Sequence, residues 1–343
     1  MAIGGAGAKI LTRPTFSDIA RHAGVSTATV ERVLNGRGGV RPPTVEKVVT
    51  AARALDYPRR LPEVHRGLLR VEVLLVRPET DFYHRLSRAF ERIAATLDPT
   101  VRVHRTFLKE ADPESIAKRI ASREQRRAGM ILAVPDHPSI RAAVAGLPPG
   151  MPIVHVVTRA HEKIGELIAI DNYAAGRSAA MFIARMERRP GTVIAISHHI
   201  YEVHRARMRG FADYMAAHAP EGLVFRWIGF SHDDRRLAGD RLFEAFNLWP
   251  DLVGLYNAGG ANTGLVEALR RHPRGRELFV VGHELSEATE PALREGYVDV
   301  VLDQAPEAQA RRALDLMLRR IGLLDMEPDT RPIRFVTVTA ESL

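Results

Sequence analysis

Two rhythms of apolar and polar positions divide this chain. In residues 15–57 the apolar positions recur at helical spacing, in three short groups. Ile19, Ala20 and Ala23 make the first, Ala28, Val30, Val33 and Leu34 the second, and Val45, Val48, Val49, Ala52 and Leu55 the third. Positions three and four apart share one face of a helix, so each group predicts a helix that buries one stripe. The punctuation agrees. Thr15 can accept from the early backbone N–H groups of a helix that starts after it, with Asp18 near the positive end of the dipole. Gly24 suits a left-handed helix end, and Ser26 is a good N-cap for a second helix of only about nine residues that stops at Asn35-Gly36. Pro42-Pro43-Thr44 then opens a third helix, and Pro58 closes it.

From residue 70 the rhythm changes. Short apolar runs of β type alternate with amphipathic stretches of helical length, the pattern of parallel strands covered by helices. The runs are Val71–Val76, Val101–Phe107, Gly129–Val134, Ile153–Val157, Thr192–Ser197, Val224–Ile228, Val253–Asn257, Leu278–Val281, Val298–Leu302 and Ile333–Val338, enough for two sheets. The fold class expected is α/β: a small all-α head followed by a two-lobed body with two parallel sheets.

Composition narrows the function classes. A chain of 343 residues, 45% hydrophobic, can bury ordinary cores. Charges interrupt every apolar run before the roughly 18 to 20 residues that a membrane span requires. The opening MAIGGAGAKILTRPTF lacks the apolar centre of a secretory signal, so the expectation is a soluble, cytoplasmic protein with no membrane partner. With no cysteine there is no disulfide, thiol nucleophile or thiolate metal site. The net charge of +8 is unevenly spread: residues 1–70 hold 12 Lys/Arg against 5 acids, while the rest is almost balanced. A basic patch confined to one end points to a polyanionic partner for that end.

Three short helices with a glycine turn between the first two can hold the second helix in a DNA major groove. The residues that would face the duplex are Thr27 and Ala28 at the start of that helix and Glu31 and Arg32 one turn on. Ser26, Thr29, Asn35 and Arg41 are placed for phosphates or base edges. Arg32 is the best candidate for reading guanine.

The run TFSDIARHAGVSTATVERVLNGRGGVRPPTVEKVVTAARALDY resembles the DNA-binding head of the LacI family, whose core reads D-[VI]-A, then A-G-V-S, then T-V-[SDE]-R-V-L-N-G. The resemblance implies a homodimer in which each head reads half of a pseudo-palindromic double-stranded operator, with a hinge between head and sensor. The chain departs from the pattern twice. Its linker, Pro58-Arg59-Arg60-Leu61-Pro62-Glu63-Val64-His65-Arg66-Gly67-Leu68-Leu69, has two prolines and is shorter than the family's hinge helix, so Leu61, Val64 and Leu68 stand as candidate minor-groove wedges or as packing residues. Glu31 replaces a small residue and would repel phosphate or accept from cytosine.

In open α/β sheets ligands bind beyond the carboxyl ends of the strands. There the body is polar: Asp81-Phe82-Tyr83, Asp136-His137, Thr158-Arg159, Asp171-Asn172, His198-His199, Asn257, His283-Glu284 and Asp303-Gln304. Acids and amides pair with hydroxyls, arginine donates, and an aromatic ring covers the C–H face of a sugar. A small polar carbohydrate-like effector fits this set. No GxxxxGK[ST] or GxGxxG follows the first strands, and the histidines fall on different elements without ligand spacing, so no cofactor and no metal is expected. His283-Glu284 lacks a partnered nucleophile, and no enzyme is expected.

The body also resembles the periplasmic sugar-binding fold that the LacI family uses as its sensor. Asp171-Asn172-Tyr173-Ala174-Ala175-Gly176 is similar to the D-N-x-x-A-G opening of the second lobe, Arg207-Met208-Arg209-Gly210-Phe211 to the R-x-x-G-F helix, and Asp303-Gln304 to the last ligand strand. The resemblance implies an effector held by Asp81, Asp171, stacking Phe82 and Tyr83, donors Arg159 and Arg207, and hydroxyl partners Asn257, Glu284 and Gln304. Two motifs depart: Asn257-Ala258 replaces the usual N-D, and Gly282-His283-Glu284 the usual G-[FY]-D, which argues against ribose or galactose in the standard pose. The expected organisation is an extension at 1–13, a helix-turn-helix domain at 14–58, a linker at 59–69, and an effector domain at 70–343. Its first lobe would hold about 70–168 and 304–328, its second about 169–303 and 329–343. The function expected is a transcriptional repressor whose operator affinity changes with effector binding. The alternatives are a sugar-acting enzyme or a solute-binding protein with an incidental helical head.

Overall fold

A computed structural model describes residues 14–35, 37, 40–58, 68–124, 126–198 and 202–343. The N-terminal extension, His199, Leu61 and Val64 lie outside the described residues. The chain divides into two compact units between Leu69 and Arg70.

The first unit is a trihelical head of α1 (Phe16–Ala23), α2 (Thr27–Leu34) and α3 (Pro42–Ala54). Helix α1 begins with a capping box, in which the Thr15 hydroxyl accepts from the Asp18 N–H and the Asp18 carboxylate accepts from the Thr15 N–H at 2.9 Å. It ends at Gly24 with φ 65°, where a left-handed turn carries the chain into α2 without a Cβ penalty. Ser26 caps α2 by accepting from the Thr29 N–H. Ile19, Ala20, Val30, Val33, Val48, Val49, Ala51 and Ala52 form the shared core.

The second unit has two lobes. In lobe 1, β1 (Leu69–Val76), α4 (Asp81–Ala94), β2 (Val101–Leu108), α5 (Pro113–Ala121), β3 (Gly129–Ala133), α6 (Pro138–Ala145), β4 (Ile153–Val156) and β5 (Glu166–Ile168) build a sheet of order β2-β1-β3-β4-β5. In lobe 2, α7 (Asn172–Met186), β6 (Gly191–Ser197), α8 (Glu202–His218), β7 (Leu223–Phe230), α9 (Arg235–Leu248), β8 (Leu252–Asn257), α10 (Asn262–Arg271), β9 (Phe279–His283), α11 (Thr289–Glu295), β10 (Val300–Asp303) and β11 (Val336–Val338) give the order β11-β10-β9-β8-β6-β7. Between β10 and β11 the chain returns to lobe 1 as α12 (Pro306–Arg320), which packs on α4, β3 and β4. The chain therefore passes between lobes three times, and two of the crossings pair where the Ile333 N–H donates to the Ala169 carbonyl at 2.8 Å.

Three details differ from the sequence reading. The short edge strand β5 was not expected. Sheet two is not wholly parallel, because β11 runs antiparallel to β10. The last apolar run forms a strand only at Val336–Val338, with Ile333 making a single bridge.

The strands end in a shared structural habit. Eight non-glycine residues adopt positive φ among the described residues, and Arg77, Val157, Asp233 and Glu284 are four of them. All four lie just past the ends of strands and line one cavity between the lobes. A β-branched residue such as Val157 at φ 72° is uncommon, and this backbone costs about 1–3 kcal/mol per residue where it occurs. The surrounding fold holds these strained turns at the cleft.

Candidate functional site

On α2 the stripe of Val30 and Val33 faces the core, which leaves Ser26, Thr27, Ala28, Glu31, Arg32 and Asn35 on the exposed side, with Thr29 half-buried. The Ser26 and Thr29 hydroxyls lie 2.9 Å apart, so both are engaged in the cap. Glu31 is paired with Arg37, whose Nη1 donates to Oε1 at 3.3 Å. That pairing reduces the repulsion a lone acid would offer to phosphate. Arg41 is exposed at the N-cap of α3 and makes no side-chain cap. Of the residues named from the sequence for DNA, all but Thr29 are exposed. Leu68 is exposed at the end of the linker.

In the second unit a cavity of about 80 Å³ lies between the lobes and opens to solvent. Phe82, Tyr83, Arg207, Glu284 and Gln304 line it. Phe82 and Tyr83 meet edge to face, with centroids 5.3 Å apart, and form its apolar wall.

Arg207 is held from both sides. Its Nε donates to the Asn172 Oδ1 at 2.9 Å and its Nη1 to the Ala258 carbonyl at 2.8 Å. Its position depends on a close crossing of α7 and α8. A Cβ on Gly176 would sit 1.9 Å from the Arg207 carbonyl oxygen, and one on Gly210 would sit 2.1 Å from the Tyr173 carbonyl oxygen. The two glycines therefore let backbone touch backbone, and this contact aims Arg207 at the cavity.

Glu284 is buried beside Arg207. Gln304 donates to its Oε1, and its Oε2 has no hydrogen-bond partner among the described residues. Burial, reinforced by the Asp303 carboxylate, raises its pKa to about 8, so the group is a neutral acid at pH 7. Burial likewise lowers His204 to about 3, and His283 falls well below its usual range.

Four residues expected at the effector do not line this cavity. Asp81 is exposed in the first turn of α4. Asp171 caps α7, accepting from the Ala174 N–H at 2.9 Å, and Arg159 is exposed with its Nη1 donating to the Gly165 carbonyl. Both line a neighbouring groove beside the crossing strands, not the cavity. The buried Asn257 commits its amide to the Gly260 carbonyl and to Asn262, so it shapes a loop. Short polar side chains at helix starts satisfy local backbone first, and this accounts for Asp171.

Sequence reasoning missed Arg77, Thr80, His204 and Asp233, which line the cavity together with Thr158. Arg77 in lobe 1 donates to Asp233 in lobe 2 at 2.8 Å, closing the cleft across its mouth. Burial would raise the Asp233 pKa, but His204, Arg77 and the Gly260 N–H together hold it below the usual range. Gly259 permits this approach, since a Cβ there would fall 2.5 Å from the Asp233 Oδ1. Arg77 directly follows the first strand run, so the strand-end rule that picked Thr158-Arg159 would also have found it. A second bridge joins Arg85 on α4 to Asp303 at 2.5 Å and to the Leu285 carbonyl at 3.0 Å.

Residues 73–322 match the family model of the periplasmic binding protein domain. Residues 15–59 match that of the bacterial regulatory proteins, lacI family. The chain belongs to the LacI family.

This LacI-family chain is 37% identical over 90 residues to the ribose operon repressor of Halalkalibacterium halodurans, covering 25% of the chain and 27% of that protein. It is 41% identical over 85 residues to catabolite control protein A of Priestia megaterium, covering 23% and 25%. These two matches span about a quarter of each relative's length. A longer match, 26% identical over 264 residues, covers 73% of the chain and 75% of the transcriptional regulator GalS of Salmonella typhimurium. Among solved structures, GanP, a glucose-galactose binding protein from Geobacillus stearothermophilus, superposes with a TM-score of 0.70 at 17% identity over 81% of this chain and 99% of that one. A periplasmic solute-binding protein from Actinobacillus succinogenes with bound D-allose gives 0.71 at 14% identity, over 80% and 98%. At these identities the likeness is one of fold. No helix among the described residues is long and apolar enough to cross a membrane.

Proposed function

We propose that this chain is a sequence-specific, DNA-binding transcriptional repressor whose operator affinity changes when a small sugar, polyol or sugar-derived molecule binds between the lobes of its second unit. The observation that carries this reading is the exposed face of α2. Val30 and Val33 anchor the helix, so Thr27, Ala28, Glu31 and Arg32 stand outward together at the spacing that meets base edges in a major groove. The concentration of positive charge in residues 1–70 supports it, because phosphate contacts supply most of the affinity. The cavity, with its aromatic wall and convergent donors and acceptors, supports the sensor half.

In this reading the protein acts in the cytoplasm as a homodimer on a pseudo-palindromic site, two heads meeting two half-sites. It performs no catalysis, and the effector acts by favouring one closure of the cleft over another. Leu86, Phe90 and Ile93 of α4 are buried in the lobe core, so in this reading the dimer meets through other residues.

The test is selection of genomic fragments on the purified chain, followed by anisotropy titration of the enriched duplex. Enrichment of a palindromic site, and a loss of about 1–3 kcal/mol for Arg32→Ala on that site, supports the reading. Absence of enrichment, with Arg32→Ala binding like the parent, contradicts it.

A further inference from the structure

The proposed function leaves the effector as a polyhydroxylated molecule of unstated charge, and the charges around the cavity narrow it. Four ionisable residues of ordinary charge line the cavity: Arg77, Asp233, Arg207 and Glu284. Arg77 and Asp233 satisfy each other at 2.8 Å, and the second Asp233 oxygen accepts from the Gly260 N–H at 2.6 Å. Glu79 and Glu110 approach Arg77 from outside the cavity.

Arg207 has no such partner. It is 2% exposed, and among the described residues no carboxylate comes within 4.0 Å of its guanidinium. Its two hydrogen bonds go to neutral oxygens, the Asn172 amide and the Ala258 carbonyl. Glu284 acts on it only from beyond ion-pair distance. Its Oε2 lies 4.0 Å from Arg85, its Oε1 is taken by Gln304, and the carboxylate of Asp303 beside it favours the protonated form. Burial holds His204 and His283 below the usual histidine range. Arg207 therefore stands in the cavity wall as a buried cation hydrogen-bonded only to neutral oxygens, a setting that favours a counter-ion.

We propose that the effector supplies that counter-ion: it is a monoanionic sugar acid whose carboxylate pairs with Arg207 while its hydroxyls meet Glu284, Gln304 and Thr158 and its C–H face lies on Phe82 and Tyr83. A carboxylate suits the planar fork of a guanidinium, and one negative charge matches its single positive charge. A phosphate ester with nearly two would overshoot. This rests on the proposed effector cleft and gives it a substrate class.

The experiment is calorimetric titration of the full-length protein at pH 7 with matched pairs: D-glucose, D-glucuronate and D-gluconate, D-galactose and D-galacturonate, and D-glucose 6-phosphate. The expected result is that at least one acid binds tenfold or more tightly than its neutral partner and than the phosphate ester. Arg207→Met should remove that preference, and Arg207→Lys, which keeps the charge, should retain part of it. A cooperative melt of each variant shows that the fold survives. A neutral sugar binding as tightly as its acid overturns the inference and leaves the sensor reading standing. Preference for the phosphate ester overturns the carboxylate assignment. If no member of the panel binds, the carbohydrate reading of the cleft falls with it, while DNA binding by the head is judged separately.

Discussion

Glu284 concentrates the electrostatics of the cleft in one side chain. Its ordinary pKa of 4.5 is raised to about 8 by burial and by Asp303. Between those values the folded chain keeps a proton that the unfolded chain releases, so stability is full below pH 4.5 and declines as pH climbs toward 8. Each unit is worth about 1.4 kcal/mol, so the total is a few kcal/mol. Glu284→Gln has nearly the shape of the protonated acid and cannot ionise. Its melting temperature should lie near the parent's at pH 5 and above it at pH 8, read by calorimetry across that range. An equal or lower value at pH 8 would show that Glu284 is ionised in the fold. If the effector is anionic, its affinity for the parent should also weaken above pH 8, as Glu284 gains charge beside it and beside Asp303, with only Arg207 and Arg85 opposing.

At the scale of elements, the crossing of α7 and α8 is the contact that aims Arg207. Gly210→Ala would place a Cβ 2.1 Å from a carbonyl oxygen, and backbone cannot yield there as a side-chain tip can. Separation of the helices should cost about 1–3 kcal/mol in urea unfolding and lower effector affinity as Arg207 shifts. Unchanged stability would mean that the helices cross more loosely. In the head, Ile19 is fully buried at the meeting of the three helices. Ile19→Ala should cost about 2–5 kcal/mol, enough to unfold so small a core, abolishing DNA binding while ligand binding by the second unit persists.

These elements also show where the sequence could be read. The helices of the head were legible because their stripes and caps agreed, down to the glycine at position 24. The central strands of the body were legible because burial on both faces makes them continuous apolar runs, while the edge strands β2 and β7 are only partly buried. The strand β5 escaped since three residues, Glu166-Leu167-Ile168, carry too short a pattern. In the site, Arg207, Glu284 and Gln304 lay in recognisable motifs or at strand ends. Asp233 did not, because its place depends on a left-handed turn after β7 and on the Gly259-Gly260 loop folding over it. Asn257 and Asp171 do not line the cavity for the opposite reason: polar residues at strand ends and helix starts serve the backbone as readily as a ligand.

Among the described residues of the second unit, ionic bridges tie lobe to lobe, Arg77 with Asp233 and Arg85 with Asp303 and, at 4.0 Å, with Glu284. They bias the cleft toward closure before any ligand arrives, and the ligand adds to that bias. Arg77→Ala should open the cleft, seen as a larger radius of gyration in solution scattering, and weaken effector binding about tenfold, or 1.4 kcal/mol. An unchanged radius and affinity would mean that the bridge contributes nothing to closure.

The central claim joins the two units: what fills the cleft changes what the head holds. Linkage requires that the effector alter DNA affinity by the same factor by which DNA alters effector affinity, typically about 5–150-fold. The direct measurement is a pair of titrations, anisotropy of the selected operator with and without saturating effector, and calorimetry of the effector with and without saturating operator. Two equal factors above 5 are the result expected. An operator affinity unmoved by a molecule that demonstrably occupies the cleft would contradict the account.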